Sequence, residues 1–231
     1  MNIKTIASSS SGNCYLLQMG ETKFLIECGV NIKTIQKATG FKLTDIAFCL
    51  ITHEHKDHSK SVKELMQKGI DCYMSTGTKD ILGLTSHRAK VIKGNARIND
   101  LIITEFDVEH DAADPVGFVV SSKTEKLLFV TDTYFVKYRF DGLTHIMIEC
   151  NYSEKIVNDL IAAGCDIPQY KRVIRSHFEL ENVKEFLRIN KSDKLKEVHL
   201  IHLSDGNSDE AEFKKQIAGV VGVPVYVGGK R

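Results

Sequence analysis

An α/β architecture of two sheets flanked by helices is predicted by three features of this 231-residue chain. Strand-like and helix-like runs alternate along its length. The early strands follow one another closely, as in meanders, whereas the later ones are separated by helices. No Gly-x-Gly-x-x-Gly follows the first strand and no Gly-Lys-Ser loop occurs, which disfavours a doubly wound nucleotide-cofactor fold. No Pro/Gly/Ser-rich linker, charge block or short repeat divides the chain, so one domain is expected over residues 1–231.

In chain order, strands are expected at Asn2–Ala7, Cys14–Gln18 and Thr22–Glu27, then a helix at Lys33–Thr39. The strand Ile46–Thr52 opens with the apolar run Ile46 to Ile51 expected of a buried strand. Ser59–Lys68 carries Val62, Leu65 and Met66 at helical spacing, with Gly69 as a stop. A strand at Asp71–Met74 and a helix at Thr78–Leu84 follow. Strands are then read at Leu101–Glu105, Val116–Ser121, Lys126–Thr131 and His145–Ile148. The last third supplies helices at Glu154–Ala163, Leu180–Asn190 and Ser208–Gly219, with strands at Glu197–His202 and Val223–Val227.

Composition excludes little. The apolar and charged fractions, 42% and 26%, are those of an ordinary globular protein. A net charge of +1 argues neither for nor against nucleic acid, because a local basic patch can hide in a balanced total. No apolar run is long enough to span a membrane and Met1–Gly12 has no signal-peptide pattern, so no membrane partner is expected. The six cysteines are scattered, without Cys-x-x-Cys, and mostly lie in apolar stretches. They read as reduced core residues of a cytoplasmic protein.

The sharpest feature is Thr52-His53-Glu54-His55-Lys56-Asp57-His58. Three imidazoles and a carboxylate in so short a span suit zinc and neighbouring divalent metals. His53 and His55 would diverge on a helix, so they can converge only on a turn or strand end. The string lies where a strand ends and a helix begins. Glu54 and Lys56 are fillers, expected to face solvent. Further candidates stand at strand ends. His110 precedes the turn Asp111 to Pro115, Asp132 follows an apolar strand, and His202 ends Val198-His199-Leu200-Ile201. Strand alternation puts His202 on the side of Val198 and Leu200, and His199 on the other. Asp205, Gly206, Asn207 and Ser208 are read as a turn and helix cap. Ser10, Ser11, Gly12 and Asn13 form a small-residue loop that offers backbone N–H groups to a phosphate, or else a simple hairpin turn.

In this order, His53-x-His55-x-Asp57-His58, His110, Asp132 and His202 resemble the metallo-β-lactamase superfamily. Ala7 to Asn13, Leu25 to Gly29, His110 to Phe118, Val130 to Thr133, Ile148 to Asn151 and His202 to Asn207 resemble its WalJ/YycJ-like branch, in a compact, phage-type version. The resemblance implies an αββα four-layer sandwich with the site along one edge. It implies a dinuclear-metal hydrolase that cleaves phosphodiester bonds with a metal-bridging hydroxide. It assigns His53, His55 and His110 to one metal, Asp57, His58 and His202 to the other, and Asp132 as the bridge. Zinc is the first expectation, with manganese or iron as alternatives. Asp57 is also a catalytic candidate that orients the hydroxide. Glu27 departs from the Asp usual in the family at a position that supports the ligand loop. His177 is a candidate to contact the phosphate or protonate a leaving group, a capping or surface histidine being the alternative. Ser10, Asn13 and Asn207 are the substrate-binding candidates.

The expected substrate is nucleic acid, DNA or RNA, with Lys137, Arg139, Lys171, Arg172 and Arg175 as candidates to track its backbone. The chain has no long insertion to form a clamp and no aromatic cluster for base stacking. This keeps open a phosphodiesterase acting on a cyclic or other small nucleotide. Thioester or lactam hydrolysis is disfavoured by the branch motifs, and a degenerate interaction module by the intact ligand set. The sequence leaves the oligomeric state open, a homodimer included.

Overall fold

The computed structural model describes residues 1–165 and 173–228. The chain divides into two compact units. The first comprises Met1–Asp107 and Ala112–Glu125, and the second Val108–Asp111 and Lys126–Gly228.

The first unit contains a six-stranded sheet in sequential order: β1 (Asn2–Ser9), β2 (Gly12–Met19), β3 (Thr22–Ile26), β4 (Ile46–Leu50), β5 (Asp71–Met74) and β6 (Ala89–Val91). The first three strands pair antiparallel through tight turns, and β3 to β6 pair parallel. Strand alternation sorts the core onto two faces. On one face Phe24 stacks on Phe48 at 5.0 Å, and Tyr73 meets Phe48 edge-on. On the other, Leu25, Cys49 and Cys72 join a buried cluster with Ile35 from α1 (Ile32–Ala38) and Val62, Leu65 and Met66 from α3 (Val62–Gln67). Those last three are the residues whose helical spacing marked this segment. The unit also holds the antiparallel strands β7 (Asn95–Ile98), β8 (Leu101–Asp107) and β9 (Val116–Ser121), and the helix α4 (Thr76–Ile81).

The helix expected at Ser59–Lys68 is two helices, α2 (Lys56–Ser59) and α3. The break has a cause. Ser61 donates its N–H to Cys28 O and its hydroxyl to Val30 O, which pulls the chain away from the helical path. The helix starts earlier because the His55 carbonyl accepts from the N–H groups of His58 and Ser59. Asp57 and His58 therefore stand on a helical first turn. Two strands, β6 and β7, were not expected. Ala89-Lys90-Val91 and Asn95-Ala96-Arg97-Ile98 are too short to show a period of two.

The second unit is built on four parallel strands, in order β10 (Lys126–Val130), β11 (His145–Glu149), β12 (Glu197–Ile201) and β13 (Val225–Val227). Its helices include α5 (Glu154–Ala162), α6 (Leu180–Asn190) and α7 (Glu210–Val221) among the described residues. Glu179 caps α6 by accepting from the N–H groups of Glu181 and Asn182. The cap of α7 is Asp209, which accepts from Glu212 N–H and directly follows the turn and cap expected over Asp205, Gly206, Asn207 and Ser208. The six cysteines are free thiols, five of them buried.

Gly29 shows how tightly the ligand loop is seated. Cys28 N–H donates to His58 O and Gly29 N–H to Asn13 O. A Cβ on Gly29 would lie 1.6 Å from Asp57 O, inside a backbone atom that cannot swing away. Gly29→Ala is therefore expected to destabilise the protein by ~3 kcal/mol, the upper end of overpacking costs. Urea unfolding checks this, and an unchanged midpoint would contradict the close approach.

Candidate metal ligand clusters

In the first unit, the turn after β4 gathers its three histidines. The His53 ring lies 4.6 Å from His55 and 4.2 Å from His58, centroid to centroid. His53 Nδ1 is 2.9 Å from Thr52 Oγ1, which directs Nε2 the other way. His58 is fully buried. Its Nδ1 faces Glu27 Oε2 at 3.6 Å, and its Nε2 accepts from Asn13 Nδ2 at 3.2 Å and lies 3.3 Å from Asp57 Oδ2. Carboxylates thus face both ring nitrogens, Glu27 at Nδ1 and Asp57 at Nε2. Glu27, buried, also accepts from Thr52 N–H at 3.2 Å. Burial pushes its carboxyl up, although His58 opposes the shift. Glu27→Gln keeps the Thr52 bond but removes the charge facing His58. It is expected to weaken metal binding ~10-fold, as loss of a carboxylate behind a ligating histidine does, and competition with a chromophoric chelator measures it.

In the second unit, Glu149 ends β11 fully buried and gathers five donors. Its Oε1 accepts from His177 Nδ1 at 2.6 Å, His202 Nδ1 at 2.9 Å and Asn151 Nδ2 at 3.3 Å. Its Oε2 accepts from the N–H groups of Thr133 at 3.1 Å and Phe178 at 3.2 Å. Burial opposes ionisation of Glu149, but His177 and these bonds outweigh it and hold the carboxyl below its usual range. In return Glu149 outweighs the effect of burial on His177 and raises its pKa. Asp132 Oδ1 accepts from Thr131 Oγ1 at 2.8 Å and lies 3.1 Å from His202 Nδ1; its Oδ2 lies 3.6 Å from His110 Nε2. His110 Nδ1 donates to Ser176 O at 3.1 Å, leaving the lone pair on Nε2. Burial lowers the His110 pKa against the pull of Asp132, favouring the neutral imidazole a metal requires. One ligand atom each from Asp132, Glu149, His177 and His202 lie within 4.8 Å of one another. With both its oxygens already engaged, Glu149 serves that group as an orienter.

Three of these side chains sit on strained backbone. Glu27, Asp132 and His202 have φ of 63°, 45° and 52°, in the left-handed region. Each follows the end of a strand, β3, β10 or β12. The region costs a non-glycine residue ~1 kcal/mol or more, and such strain concentrates where chemistry is done.

Residues 4–87 match the protein family described as Anti-Pycsar protein Apyc1. Exodeoxyribonuclease WalJ of Streptococcus pneumoniae is 28% identical over 223 residues, covering 88% of this chain and 81% of that protein. Exodeoxyribonuclease YycJ of Bacillus anthracis is 27% identical over 229 residues, covering 91% and 85%. The crystal structure of the metallo-beta-lactamase fold protein YhfI from Bacillus subtilis superposes with a TM-score of 0.70 at 14% identity, covering 97% of this chain and 95% of that one. This chain has the metallo-β-lactamase fold.

That fold is the αββα class implied by the sequence motifs, and the clustered side chains described above are imidazoles and carboxylates, a donor set that suits divalent metals. The other candidates are placed as follows. Asn13, expected at the substrate, is fully buried, and its amide donates to Ser9 O, Asp57 O and His58 Nε2. It braces the ligand loop. Ser10 is exposed at the turn between β1 and β2. Asn207 donates to Ser204 Oγ and its carbonyl accepts from Ser153 N–H, holding its own loop. Glu54, expected to face solvent, is half-buried and accepts from Ala113 N–H at 2.8 Å, whereas Lys56 is exposed. His199 bonds Glu197 and packs on Tyr226, as strand alternation required. Lys137, Arg139 and Arg175 are exposed; Lys171 and Arg172 lie outside the described residues. No described helix is long and apolar enough to cross a membrane.

Proposed function

We propose that the protein is a metal-dependent hydrolase of phosphodiester bonds, acting on nucleic acid. In this reading His53, His55, Asp57, His58, His110, Asp132 and His202 hold two divalent ions, zinc first among them. The observation that carries it is the ligand string, with one nitrogen each of His53, His110 and His202 held by an oxygen, in a chain that resembles exodeoxyribonucleases over most of its length. Bound divalent ions lower the pKa of water towards about 7 and offset charge on a phosphate. The chain's own residues supply the rest. Asp57 orients the nucleophile, Glu149 fixes the tautomer of His202, and Glu27 sets its carboxyl opposite His58. His177, whose Nδ1 is tied to Glu149, holds a proton at Nε2 for the departing oxygen.

End-labelled linear duplex DNA, incubated with purified protein and manganese or zinc beside the Asp57→Ala variant, tests the reading. Metal-dependent degradation lost in the variant supports it, and the product ladder gives the polarity. A second reading, hydrolysis of a cyclic or other small nucleotide, is favoured by compactness: the described residues carry no insertion that would clamp a polymer. Competition by mononucleotides with little salt dependence selects it, whereas a steep fall of affinity with salt selects the polymer.

A further inference from the structure

We infer that a groove of about 340 Å³ in the second unit, walled by Tyr134, Phe135, Phe178 and Phe186, is the subsite for a nucleobase of the substrate. The inference rests on the phosphodiesterase reading and names what lies beside the scissile phosphate.

Four aromatic rings line one small cavity, and two of them face solvent: Tyr134 is 44% exposed and Phe135 54%. Large exposed aromatics side by side are costly to leave in water unless they have an occupant. Every nucleobase presents a π-face to such walls. The rim supplies polar groups as well. Asn182 and Glu185, both exposed on α6, line the same groove, and an amide and a carboxylate can pair with the donors and acceptors of a base edge.

The groove is tied to the candidate chemistry through hydrogen bonds. Tyr134 and Phe135 closely follow Asp132 in the chain, and Phe178 follows His177. The N–H groups of Thr133 and Phe178 both bond Glu149 Oε2, whose other oxygen holds His177 and His202. Thr133 Oγ1 donates to Phe135 O and accepts from Phe135 N–H, which stiffens the short turn carrying the two exposed rings. Tyr134 N–H donates to the carbonyl of Glu109, the residue before His110. Both walls thus hang from the segments that bear Asp132, His110 and His177. Lys137 and Arg139, exposed farther along the same loop, give its surroundings a cationic character suited to a nucleotide.

Two measurements test the subsite. The first compares thymidine 5′-(4-nitrophenyl) phosphate with methyl 4-nitrophenyl phosphate, which presents the same leaving group without a base. The wild-type ratio of kcat/KM between them is expected to favour the nucleoside ester. It should fall about fivefold or more in Tyr134→Ala and in Phe135→Ala, mainly through KM, and recover in Tyr134→Phe. An unchanged ratio overturns the proposal. The second is calorimetric binding of thymidine 5′-monophosphate to metal-loaded protein, which needs no turnover. Binding is expected to weaken about fivefold or more in Phe135→Ala. Equal binding by wild type and variant overturns the subsite. So does a dimer that dissociates in Phe135→Ala with nucleotide affinity unchanged, because it assigns the groove to a second copy of the chain. Failure of both esters to react, with the monophosphate still bound through Phe135, would instead count against the phosphodiesterase reading and leave the subsite standing.

Discussion

Asp57→Ala and Asp132→Asn are each expected to lower phosphodiester hydrolysis by roughly 10³-fold or more while the protein stays folded. Removing one group that stabilises developing charge costs ~10²–10³ in rate, and a carboxylate that also ligates metal costs more. The fold survives for different reasons at the two positions. Asp57 sits on the first turn of α2 and is only half-buried, and its buried neighbour His58 keeps the Asn13 amide at Nε2 when alanine replaces it. Asp132 adopts φ 45°, where asparagine is tolerated far better than alanine, and the oxygen of the substituted amide can still accept from Thr131 Oγ1. Thermal unfolding of the metal-free proteins separates loss of chemistry from loss of fold. Either variant retaining full activity on a verified substrate would make the ligand assignment wrong.

Glu149→Gln is the second large effect. Five donors converge on this carboxylate. A glutamine turns one acceptor into an NH₂ group, which then faces either the two backbone N–H groups or the two imidazoles. At least two bonds are lost in a fully buried place, and each stranded donor costs ~1–3 kcal/mol. The histidines also lose the charge that fixes their tautomers. Metal affinity or activity is expected to fall ~10- to 100-fold, with a lower urea midpoint. Metal affinity unchanged in this variant would show that Glu149 has no orienting role.

Much of this was written in the sequence, unevenly. Three imidazoles within seven residues have no packing explanation, so the ligand string stands out in the sequence alone. The apolar strand before Asp132 and the alternation through Val198, Leu200 and His202 placed those ends correctly, because a period of two is strict in a buried strand. What sequence could not show was partnership at long range. Asn13 read as a phosphate-loop residue, yet its amide reaches Asp57 O across 44 positions. Glu149 was visible only as part of Ile148-Glu149-Cys150-Asn151. A signal existed, since it ends the apolar strand His145–Ile148 just as Asp132 follows one, but an acid at a strand end is more often a turn residue. The left-handed backbone of Glu27, Asp132 and His202 could not be read from residue type: Glu is disfavoured there, and Asp and His, though enriched, mostly lie elsewhere. The aromatic groove was missed for a related reason: Tyr134-Phe135 and Phe178-Phe186 are 43 or more positions apart, so no cluster shows along the chain.

The most direct test of the central claim is hydrolysis of bis(4-nitrophenyl) phosphate by protein first stripped with a chelator and then reloaded with zinc or manganese, the bound metal being counted in the same samples. Activity that disappears on stripping and returns as the count approaches two ions per chain is the expected result. Activity indifferent to chelation would contradict the account, as would a chain loaded with two ions that cleaves neither this ester nor end-labelled DNA.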